Sequence, residues 1–104
     1  MIHTAEHTIY NLRKVFGMKA KSGFSIKQVA DSFVIVPVGE RIVDFSAMIT
    51  INETGAFLWE KLQNDVTLEE LTDLLLAEYD TDKETAENDV KEFTDVLLAK
   101  KVIE

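Results

Sequence analysis

Residues 48–62, "MITINETGAFLWEKL", decide how this chain folds. Met48, Ile49, Thr50 and Ile51 make a short apolar run with the β-branched residues that strands favour. Asn52 follows at once, and its side-chain oxygen suits the first unpaired N–H groups of a helix. Gly55, Leu58, Trp59 and Leu62 then recur at helical spacing. A strand meets a helix here with one residue between them, which raises the question of what pairs with the strand's other side.

Two more helices are expected downstream. Thr67 with Glu70 three residues later forms a capping box, opening a helix over 68–78 with Leu68, Leu71, Leu75 and Tyr79 toward the core. Asp82 caps a third helix that runs to about residue 100. Its Ala86, Val90, Phe93 and Leu97 are spaced 4, 3 and 4 along one face, with Lys100 and Lys101 at the C-terminal end. Val102 and Ile103 close the core.

Upstream of residue 48 the pattern is that of strands. "FSIKQV" (24–29) alternates, "FVIVPV" (33–38) is β-branched, and "ADS" between them has turn chemistry, so the two form an antiparallel hairpin. Pro37 has no N–H and belongs at an edge or a strand terminus. "VGER" turns the chain, "IVDF" pairs briefly, and 48–51 is the last strand. The expected class is α+β: a three-stranded antiparallel sheet followed by three helices, with a winged helix-turn-helix-like order. Residues 22–104 form this domain. Residues 1–21 are set apart as an N-terminal extension, helical or disordered, because Ile9, Leu12 and Phe16 give only a weak helical stripe.

A length of 104 residues fits one domain with a modest core and leaves little room for an enclosed catalytic cavity as well. There is no cysteine, which excludes disulfides, thiolate nucleophiles and cysteine-based zinc or iron–sulfur sites. The N-terminus lacks the apolar stretch of a signal peptide, and no apolar run reaches the ~20 residues of a membrane span, so a cytoplasmic protein without membrane contact is expected. The net charge of −8 is lopsided. Residues 1–51 hold six Lys/Arg and four Asp/Glu, whereas 52–104 hold five and fifteen. The acidic half repels a polyanion, so nucleic acid is not an expected partner; a basic partner surface or plain solvated helix faces both explain it.

No catalytic constellation stands out. "HTAEH" (3–7) fits a zinc-binding H-x-x-E-H pattern, but it sits at the chain start with no third histidine and reads as a terminus, so no metal or cofactor is expected. The carboxylates of "ETAENDVKEF" read as a solvated face, and Trp59 as core. The strand at 48–51 is more specific. It contains neither charge nor proline to blunt an edge, so its N–H and C=O groups form a template for an added strand. An extended peptide, the N-terminal segment or a second copy of the chain each suits that edge.

Three segments, "ITINETGAFLWEKL", "TLEELTDLLLAEYD" and "DKETAENDVKEFTDVLLAKKVIE", resemble the PqqD-like proteins (coenzyme pyrroloquinoline quinone synthesis protein D), a family of precursor-peptide recognition elements. The resemblance covers roughly four-fifths of the chain, from about residue 23 onward, and leaves 1–17 without a counterpart. It implies a non-catalytic adaptor that binds the leader of a ribosomally made precursor peptide and presents it to a modifying enzyme, often a radical S-adenosylmethionine (SAM) maturase. It also implies a site: Met48, Ile49, Thr50 and Ile51 as the strand that the leader extends, with Val90, Phe93, Thr94 and Leu97 of the third helix facing it. The segment "GERIVDFSA" is longer than in the quinone-pathway members, so the resemblance does not fix the end product. The alternative, a winged-helix DNA-binding regulator, has the same element order but sets six acids against two lysines on the helix that would enter the groove.

Overall fold

A computed structural model describes residues 17–39 and 48–104. Its element order is β1 (Phe24–Val29), β2 (Ser32–Pro37), β3 (Ile49–Ile51), α1 (Glu53–Lys61), α2 (Leu68–Glu78) and α3 (Lys83–Ala99), the expected α+β arrangement. The histidine pattern at 3–7, the stripe through Ile9, Leu12 and Phe16, and the brief pairing of "IVDF" lie outside the described residues.

β2 is the central strand, antiparallel to both neighbours. Phe24 pairs with Pro37 and Val29 with Ser32, so the proline stands at the strand's end, where its missing N–H is tolerated. Phe33 faces Ile51, and Ile35 faces Ile49. Directly paired residues share a face, so Phe24, Ile26, Phe33, Ile35, Ile49 and Ile51 point toward the helices. Met48, placed in the third strand from sequence, lies just before it and is exposed.

All three helices start where their capping residues predict. Asn52 accepts from the Gly55 N–H at 2.8 Å and Asp82 from Thr85 at 2.7 Å. Thr67 and Glu70 complete the reciprocal box, at 3.1 and 2.9 Å. Their apolar stripes meet in one core, in which Ile35, Leu62, Leu71, Val90, Leu97 and Val102 have no exposed surface. α2 and α3 pack against each other, and α1 lies between them and the sheet.

The C-terminus turns back through a Schellman motif. The Lys101 N–H donates to Leu98 and the Val102 N–H to Leu97, with Lys101 in the left-handed region at φ 61°. That reversal brings Ile103 beside residues 18–21. Met18 exchanges hydrogen bonds with Val66, and Lys19 with Glu104, while Ala20 and Lys21 donate to Leu62 and Val102. Met18 and Ala20 are consequently buried, although residues 18–21 were grouped by sequence with the extension. The reason is a strand-like alternation, Met-Lys-Ala-Lys, too short to register beside longer patterns.

Two predictions follow from these helix ends. Lys101 occupies a backbone conformation that glycine adopts without strain, so Lys101→Gly should raise stability by about 0.5–1 kcal/mol in urea unfolding. The Thr85 hydrogen bonds hold the Asp82 carboxyl below its ordinary value of 3.8. A lowered folded-state pKa gives stability that is present above the unfolded value and lost as pH falls through the folded one. Asn also caps well but does not titrate, so the melting temperature of the wild type relative to Asp82→Asn should fall below pH 3.8 and stay level above it.

Candidate peptide-binding site

β3 has β2 on one side and, among the described residues, no strand on the other. Its Ile49 and Ile51 side chains enter the core and Thr50 points outward. The strand therefore offers its backbone rather than its side chains to a partner along that edge. It is three residues long and uncharged.

Where β3 ends, a groove of about 300 Å³ begins, bounded by α1 and α3. Asn52, Thr54, Gly55 and Leu58 form one wall, and Asp89, Glu92, Phe93 and Val96 the other. Gly55 permits the two helices to come this close. A Cβ placed on it would stand 3.1 Å from Phe93 Cε1 and 3.0 Å from Ile51 Cβ, tighter than ordinary side-chain contact. The same residue thus sets the strand's end against α1 and the Phe93 ring against the groove floor.

The helix residues expected at the site divide into two groups. Phe93 lines the groove, half-buried. Val90, Thr94 and Leu97 have no exposed surface and belong to the core, with the Thr94 hydroxyl donating back to the Val90 carbonyl at 2.9 Å. The apolar stripe of a packed helix faces the core, not a ligand, so these three residues are spent on packing. The groove face is instead Asp89, Glu92, Phe93 and Val96, and Val96 is 47% exposed. A signal for it was present: Val96 is an apolar residue off the main stripe, seven residues after Asp89. Asn52, which the sequence marks only as a helix cap, and Thr54 also line the groove.

The groove is acidic. Both lysines of α3 are engaged along the helix surface, Lys91 with Asp95 at 3.1 Å and Lys83 with Glu87 at 3.9 Å. Asp89 and Glu92 have no ion pair among the described residues. No cluster of three or more potential metal ligands occurs among these residues, and no helix there is long and apolar enough to cross a membrane.

Comparison with known proteins agrees with this architecture. The family model of coenzyme PQQ synthesis protein D matches residues 6–103, so the similarity starts well before residue 23, where the resemblance read from the residues begins, and takes in much of the N-terminal segment. No curated protein matches the chain. A solved structure, TbiB1 in complex with the TbiA(beta) leader peptide, superposes with a TM-score of 0.65 at 23% identity, covering 83% of this chain and 94% of that one, which is a likeness of fold. With a family model matched across nearly its whole length, the chain belongs to the PqqD family.

Proposed function

We propose that this protein is a non-catalytic adaptor that binds the leader of a ribosomally synthesised precursor peptide and presents it to a modifying enzyme, of the radical SAM class. The leader adds as a strand along β3, and its alternate side chains enter the groove against Phe93 and Val96. The observation that carries this reading is the juxtaposition of an uncharged edge strand with an apolar-floored groove at its end. Backbone pairing supplies affinity and register, and the groove supplies selection. Binding the leader raises the effective concentration of the tethered core peptide at the enzyme. Family membership and a fold shared with a protein solved together with a leader peptide support it. Asp89 and Glu92 disfavour the DNA-binding alternative, since a polyanion entering this groove meets unpaired carboxylates.

Strand addition to a single edge uses only every second N–H of the added peptide. N-methylation of a candidate leader encoded beside the gene should therefore weaken binding roughly tenfold or more at one parity of positions and spare the other. Val96→Asp, at an exposed position, should leave the fold intact and lower leader affinity to a similar degree. Equal tolerance of N-methylation at both parities would exclude strand addition.

A further inference from the structure

The face of α1 turned away from the peptide groove borders a second and larger cleft, of about 710 Å³. It exists because the helix layer covers β2 and β3 but stops short of β1. No residue of β1 is buried, although Phe24 and Ile26 point inward. The cleft is lined by Phe24, Phe33, Phe57, Trp59 and Tyr79, which is every aromatic residue among those described except Phe93. Its walls are ordered: Phe57 meets Tyr79 edge-to-face at 5.5 Å, and Lys61 Nζ lies 5.1 Å from the centroid of the Phe57 ring.

Two carboxylates, Glu53 and Glu60, line the same cleft; among the described residues no lysine or arginine lines it, and Lys61 stands beside it at the Phe57 ring. They sit seven residues apart on one face of α1, about 10 Å along its axis. Neither has an ion pair among the described residues. Burial, and then the charges of Glu53 and Glu78, push the Tyr79 hydroxyl above its ordinary pKa. Aromatic faces flanked by unpaired carboxylates favour a cation carried on an apolar stem, and aromatic side chains are what protein interfaces concentrate.

We infer that this cleft is a docking surface for an apolar, arginine- or lysine-bearing segment of the modifying enzyme, separate from the leader groove on the other side of α1. The inference rests on the adaptor reading only in naming the enzyme as the source of the segment. One short helix then has a peptide on one face and the enzyme on the other. The two partners are held within a helix diameter of each other without competing for residues.

The test is an NMR titration of the isotope-labelled full chain with two capped tetrapeptides, Ac-Leu-Arg-Trp-Arg-NH2 and Ac-Leu-Glu-Trp-Glu-NH2. The arginine peptide is expected to shift Phe24, Phe33, Phe57 and Tyr79 and to bind roughly tenfold more tightly than the glutamate peptide. That preference should collapse in Glu53→Gln/Glu60→Gln, and at high salt in the unaltered chain, which guards against a folding defect in the variant. A saturating leader should leave the response unchanged, and so should Val96→Asp, which is expected to weaken leader binding. The leader reading and the cleft can therefore fail independently. Equal binding of the two peptides, or shifts confined to Phe93 and Val96, would overturn the proposal. Competition by the leader would reassign the cleft to the precursor peptide, and concentration-dependent shifts without any added peptide would reassign it to a second copy of the chain.

Discussion

Asn52 is the one residue between β3 and α1, and the site depends on the junction it makes. With its backbone extended and its side chain accepting from Gly55, it ends the strand and starts the helix in the same step. No slack remains between the two elements. The inward side chains of β3 are pinned by Ile49 and Ile51 in the core, so the strand's register and the position of its outer edge follow from packing. A longer connection would let the edge slide. Gly55, one turn into the helix, then admits Phe93 and brings α3 to the end of that edge.

From this junction the two faces of α1 acquire different surroundings. One face, with Thr54, Gly55 and Leu58, borders a narrow groove. The other, with Glu53, Phe57 and Glu60, borders a wide aromatic cleft that exists because β1 extends beyond the helix layer. The remaining elements serve to hold α1 in place. α2 and α3 pack as a pair behind it, and residues 18–21 tie the α1–α2 connection to the C-terminal tail through alternating backbone hydrogen bonds. The Schellman turn at Lys101 delivers that tail to its partner.

Most of the scaffold was legible in the residues because each element carries its own local signal. Asn52, Thr67 and Asp82 announce helix starts, and Leu71, Leu75, Val90 and Leu97 fall on faces that any amphipathic count identifies as buried. The site was harder to read for a related reason. Val90, Thr94 and Leu97 are conspicuous because they build the core, whereas Val96 and Asp89 form the groove with a pattern no stronger than that of solvated residues. Periodicity reports which face is buried, not which of the remaining faces has a neighbour. The aromatic cleft was invisible for the same cause. Phe24, Phe57 and Tyr79 are far apart in sequence, and no local pattern joins them.

In the proposed adaptor, the outer edge of β3 and the groove beside it together receive a leader peptide. Amide NMR shifts of the labelled protein, titrated with the N-terminal half of a precursor peptide encoded beside its gene, test it most directly. Shifts should concentrate at residues 48–52 and along 89–96, with the core amides of α2 unmoved. A saturable response located elsewhere, with those residues silent, would contradict it.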